Sequence, residues 1–218
     1  PSGRLPMTWP VSYNDVPSKN DFPVPDEISE EMLTESLKGF ADVRTEGERK
    51  NFDVTTYNDG VYVGYRYYTT KNVPVSYPFG YGLSYTTFSY SGMKADKTEN
   101  GDIRVTVTVK NTGKVSGKEV VQVYVSAPGK DMDKPARELK GFTKTRKLQP
   151  GESQTVSVSI PYESLASFNE EGSCWQVEEG TYQILVAKNA ADKKPLAVAV
   201  TEQGKVTETV KSCLVLQQ

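Results

Sequence analysis

With 218 residues, the chain has room for one large domain or for a domain plus part of another. A formal charge of −2, a pI near 5.4 and 26 basic residues dispersed along the chain give no bulk attraction for nucleic acid or an anionic membrane. No apolar run reaches the length of a bilayer span, and the absence of histidine excludes Ser-His-Asp and Cys-His catalysis and every His-ligated metal.

Residues 1–25 carry six prolines with Trp9, Tyr13 and Phe22 and no periodicity, which predicts an extended, surface-following segment. It opens on proline and has no basic-then-apolar leader, so any targeting signal is expected upstream in a longer chain. After Pro25, Ile28, Met32, Leu33, Leu37 and Phe40 recur near helical spacing, with Asp26, Glu27, Glu30 and Glu31 at the start. One short amphipathic helix stopping near Lys38-Gly39 is predicted. Residues 40–56 are polar and read as a loop or the rim of an insertion.

Asn58-Asp59-Gly60 is a turn signal, and Val61–Tyr68 after it reads as a tyrosine-rich strand. Nine of the thirteen tyrosines fall between 57 and 90. Such rings either serve as stacking platforms for sugars or pack a domain interface, and both readings stand at this point. In Pro78–Phe88, Gly80 and Gly82 bracket Tyr81, suiting a backbone that turns sharply or lies close to another surface. This stretch is read as a hinge between two unlike parts.

From Phe88 onward the pattern is β. Ile103, Val105, Val107 and Val109 alternate with polar residues up to the turn Asn111-Thr112-Gly113. Val121, Val123 and Val125 follow, then Val156, Val158 and Ile160 after Pro150-Gly151, Tyr182, Ile184 and Val186 after Gly180, and Leu196, Val198 and Val200. Val206–Leu216 is a candidate edge strand. Six or seven short strands separated by turns predict an antiparallel sandwich of immunoglobulin or fibronectin type III kind over residues 83–218. Residues 1–82, with one helix and many prolines, form no core of their own and are expected to wrap onto the sandwich or onto another domain.

The carboxylate pairs Glu170-Glu171, Glu178-Glu179 and Asp131/Asp133 read as solvated charge on exposed turns. A retaining glycosidase needs two carboxyls about 5–5.5 Å apart across one bond, which neighbours on a turn do not supply. No catalytic, cofactor-binding or metal-binding residue is therefore expected, and no cofactor. Cys174 and Cys213 either pair, closing a loop worth about 3–4 kcal/mol, or are unrelated thiols.

Several stretches carry a family likeness. Pro1-Ser2-Gly3-Arg4-Leu5-Pro6-Met7-Thr8-Trp9-Pro10, Tyr57–Tyr67, the hinge Tyr77–Phe88, Val109–Gly113 with Gly117–Val125, Glu138–Phe142 with Pro150–Ser153, and Trp175–Tyr182 resemble, in order, the C-terminal region of glycoside hydrolase family 3. The resemblance implies that residues 1–82 close an α/β sandwich domain, with residues 18–55 longer than the usual connection, and that residues 83–218 form a fibronectin type III-like domain. It places the nucleophile and acid/base upstream, so this part is expected to be non-catalytic. Its implied role is to buttress the catalytic domains of the same polypeptide and to contribute a loop to the pocket rim. The implied parent reaction is exo-hydrolysis of β-glucosides or β-xylosides, in a periplasmic or secreted setting without nucleic-acid or membrane partners. A stand-alone carbohydrate-binding sandwich is the alternative.

Overall fold

The computed structural model describes residues 1–21 and 57–211; the predicted helix after Pro25, Cys213 and the end of the candidate edge strand lie outside them. In chain order the regular elements are β1 (Trp9–Pro10), α1 (Tyr65–Lys71), β2 (Val75–Tyr77), β3 (Phe88–Lys97), β4 (Ile103–Asn111), β5 (Val120–Ser126), β6 (Glu138–Lys144), β7 (Ser153–Ile160), β8 (Ser167–Asn169), β9 (Cys174–Val177), β10 (Gly180–Ala187), β11 (Leu196–Glu202) and β12 (Lys205–Thr209). The chain divides into two compact units, Ser12–Gly60 and Pro1–Val11 with Val61–Gln218. In the described part of the first, Ser12 caps a 3-10 turn with a capping box to Asp15, and Asn58 donates to Asp21 at 2.9 Å.

In the second unit, β3-β4-β7 form one antiparallel sheet and β11-β10-β5-β6 another, with the small sheet β12-β9-β8 and the ribbon β1-β2 beside them. The expected sandwich is therefore present. Along β4 every second residue, from Ile103 to Asn111, is buried, so the alternation seen in the sequence is the two faces of one strand. Val105, Val123, Val158 and Ile184 meet in one core between the sheets. Each such side chain removed from water contributes about 1.5–3 kcal/mol.

Asn111 closes one end of β4 from within. Its Oδ1 accepts from Thr86 Oγ1 at 2.7 Å and the Gly113 amide at 3.0 Å, while its Nδ2 donates to the Val115 and Leu148 carbonyls at 2.8 and 3.0 Å. A buried amide survives there because all of its polar capacity is used.

β5 departs from simple alternation: Val121 through Val125 are all buried. Val121, Val123 and Val125 face the sandwich core, while Tyr124 joins Leu185, Ala187 and Ala190 in a second cluster against Tyr65, Phe79 and Leu139. The outer face of this sheet is thus covered as well, by the segment preceding β3.

The tyrosine-rich stretch corrects the expectation of a strand. Tyr65–Lys71 is a helix, entered through Gly64 at φ 61° and left through Asn72 in the left-handed region at φ 54°. Tyr65 and Tyr68 stand three residues apart and pack inward, Tyr65 on the second cluster and Tyr68 buried. Helical spacing brings both to one side where strand spacing would send them to opposite faces, and that packing outweighs the β-propensity of the aromatic run. Among the described residues, no helix is long and apolar enough to cross a membrane and no acidic or thiol cluster could hold a metal.

Candidate docking face

The hinge lies flat on the outer face of the four-stranded sheet, and its two glycines make that approach possible. Gly80 sits at φ 79°, and a Cβ there would come within 2.0 Å of Gln122 Oε1. A Cβ on Gly82 would lie 2.2 Å from the Gly3 carbonyl. Both positions need a residue with no side chain, one for conformation and contact, the other for contact alone.

Polar bonds then fasten the segment. The Gly80 amide donates to the Leu5 carbonyl and the Leu5 amide to the Tyr81 carbonyl, both at 2.8 Å. Arg4 forms an ion pair with Glu119 at the start of β5, both side chains largely buried. Gln122 donates from Nε2 to the carbonyls of Gly80 at 3.0 Å and Lys188 at 2.8 Å, and accepts from Tyr124 Oη at 2.7 Å. Tyr65 stacks on Phe79 at 4.6 Å and meets Tyr124 edge-on at 6.1 Å. Helix α1 is tied down by Arg66, paired with Glu138 at 3.3 Å, and by Tyr65 Oη, which accepts from the Leu139 amide at 2.8 Å.

The other side of the same segment is open. Trp9 and Tyr77, register partners on β1-β2, meet edge-on at 6.2 Å, and Tyr81 tilts against Tyr77 at 5.2 Å. Beside them Leu83 is 68% and Tyr85 82% exposed. Trp9, Tyr77, Tyr81 and Leu83 border a groove of about 510 Å³ that reaches Arg4 and Leu5. A contiguous aromatic surface of this kind marks an interaction site. Tyr65 and Tyr68 thus serve the inner packing and Tyr77, Tyr81 and Tyr85 this outer surface, so these rings are not gathered on one platform.

The carboxylates resolve differently from the expectation in one case. Glu170, Glu171, Asp131, Asp133 and Glu179 are exposed, but Glu178 is 1% exposed. It accepts from the Asp131 and Met132 amides at 2.8 and 2.9 Å and faces Lys134 Nζ at 3.7 Å, so it holds the loop between β5 and β6. Burial pulls the Lys134 pKa down, opposed by the Glu178 charge. Val177 and Glu178 are both buried and Glu179 is exposed, so it is the amides of Asp131 and Met132, not strand alternation, that take one of two adjacent glutamates inside. Glu178 faces amides and an ammonium, not a second carboxyl, so it has no glycosidase geometry. Cys174 is buried, at the register position opposite Thr209, and has no disulfide partner among the described residues; Cys213 lies outside them.

Residues 119–190 match the fibronectin type III-like domain family. The thermostable β-glucosidase B of Acetivibrio thermocellus is 37% identical over 97% of the chain, and an exo-α-(1→6)-L-arabinopyranosidase of Bifidobacterium longum 40% identical over 94%. In both cases the chain spans 24% of the relative's length. Among solved structures, β-glucosidase 3B of Thermotoga neapolitana superposes with a TM-score of 0.77 at 40% identity, covering 95% of the chain and 26% of that protein. A family 3 β-glucosidase of Bifidobacterium adolescentis does so with 0.76 at 35% identity, covering 94% and 26%.

Proposed function

The chain matches the C-terminal, fibronectin type III-like part of glycoside hydrolase family 3 β-glucosidases, and on that premise we propose that it is the non-catalytic structural part of such an enzyme. In this reading residues 1–82 are the tail of an α/β sandwich domain and residues 83–218 the terminal sandwich, which together brace the upstream catalytic domains. The nucleophile and acid/base lie upstream, the parent removes β-linked glucose or xylose from a non-reducing end, and its location is periplasmic or secreted.

The observation that carries this reading is the two-sided hinge. One side is fastened to the sandwich through Arg4–Glu119 and Gln122–Gly80, and the other leaves Trp9, Tyr77, Leu83 and Tyr85 uncovered. A rigid base with an open aromatic surface suits a seat for a catalytic domain. The test is release of nitrophenol from aryl β-glucoside and β-xyloside by the chain alone and after mixing with the upstream three quarters of the enzyme. Activity is expected only in the mixture, and to fall when Leu83 and Tyr85 are both replaced by Ser. Turnover by the chain alone overturns the proposal.

A further inference from the structure

A second hollow is lined by Thr8, by α1 and the Asn72–Val75 segment after it, by Pro78, and by Arg137 with residues 190–193. It encloses about 500 Å³, within the range of small-molecule sites. Tyr65, Tyr68 and Pro78 give it apolar walls, Thr69 and Asn72 a polar margin, and Arg137 and Lys193 positive charge.

The state of Arg137 points to what belongs there. Arg137 is half-buried, yet among the described residues it makes one hydrogen bond, from Nη1 to the Asp192 carbonyl at 3.0 Å, and its buried Nε has no partner there. Asp192 is the acidic residue lining the hollow, but its carboxylate is engaged elsewhere: Oδ2 accepts from the Lys188 amide and Oδ1 from the Lys194 amide, both at 3.0 Å. Glu138, adjacent in sequence, is taken by Arg66 and Lys140. Among the described residues Arg137 therefore has no counter-ion, although a guanidinium is built to hold a carboxylate through two parallel bonds. A cationic fork beside tyrosine and proline walls, in a hollow too large for a bare anion, has the chemistry of a site for an acidic sugar.

We propose that this hollow binds a uronic acid, with Arg137 taking the carboxylate, Lys193 adding charge and the Tyr65–Pro78 wall receiving the ring. The choice of a sugar rests on the glycoside hydrolase reading above; the anion site itself does not. The test is titration of the isotope-labelled chain with glucuronate, glucose and acetate, followed through backbone amides and the arginine Nε–H signals, on the parent, Arg137→Gln and Arg137→Lys. Glucuronate is expected to shift the signals of residues 69–75 and 190–193, and to bind about tenfold or more tightly than glucose or acetate. Arg137→Gln is expected to abolish that advantage and Arg137→Lys to keep part of it, with unperturbed spectra elsewhere reporting an intact fold. Acetate binding as tightly as glucuronate overturns the sugar assignment, and glucuronate binding Arg137→Gln as well as the parent overturns the site. None of these readouts depends on glycosidase turnover, so failure here is distinct from failure of the docking proposal.

Discussion

Replacing Gly80 by Ala tests how the hinge is seated. The added Cβ would meet Gln122 Oε1 at 2.0 Å and Cδ at 2.8 Å, so the Gln122 side chain must leave. Its departure removes its bonds to the Gly80 and Lys188 carbonyls and to Tyr124 Oη, at about 1 kcal/mol each. Holding alanine at φ 79° adds about 1–2 kcal/mol. The expected loss is about 4–5 kcal/mol for Gly80→Ala and about 3 kcal/mol for Gln122→Ala. In the double variant the clash loses its partner, because the three atoms nearest to that Cβ, at 2.0–3.0 Å, all belong to the Gln122 side chain. It should then cost about 4–5 kcal/mol, leaving a coupling of about 3 kcal/mol against simple addition. Urea unfolding followed by tryptophan fluorescence and far-ultraviolet circular dichroism measures all three. Additivity to within about 0.5 kcal/mol would refute the reasoning, since it would mean that Gly80 and Gln122 do not compete for one space.

Asn111→Ala should cost about 3–4 kcal/mol by urea unfolding, because it strands Thr86 Oγ1, the Gly113 amide and two carbonyls at the end of β4. Glu178→Gln should cost about 3 kcal/mol, since Lys134 would bury its ammonium without a counter-charge; adding Lys134→Met should recover part of the loss, and protease nicking near Lys130 should track it. Burial pushes the Tyr182 pKa from 10.0 up to about 12, and burial raises Tyr90 and Tyr124 in the same direction. The folded chain then keeps phenol protons that the unfolded chain loses, so stability is full below pH 10 and falls as pH rises toward 12. The urea midpoint should drop across that window, and less steeply in Tyr182→Phe.

Period-two patterning, turn residues and motif order were enough to read the sandwich and the family. Alternation at Ile103–Val109 and the turns at Asn111–Gly113 and Pro150-Gly151 are local consequences of strand geometry and backbone sterics, and they hold wherever the strand is placed. The two hinge glycines were legible for the same reason: few other residues leave a backbone free to bend and approach so closely. Three features depended on what lies across space. Tyr65–Lys71 became a helix because two tyrosines needed the same side. Glu178 went inside while Glu179 stayed out because a loop more than forty residues earlier offered it two amides. Arg137 came to face a hollow with its nearby acids already engaged, because Asp192 bonds its own loop and Glu138 bonds Arg66 and Lys140. Local sequence sets which faces a segment can present; only the packed chain decides which face meets a partner, because burial and hydrogen bonding act between residues remote in sequence.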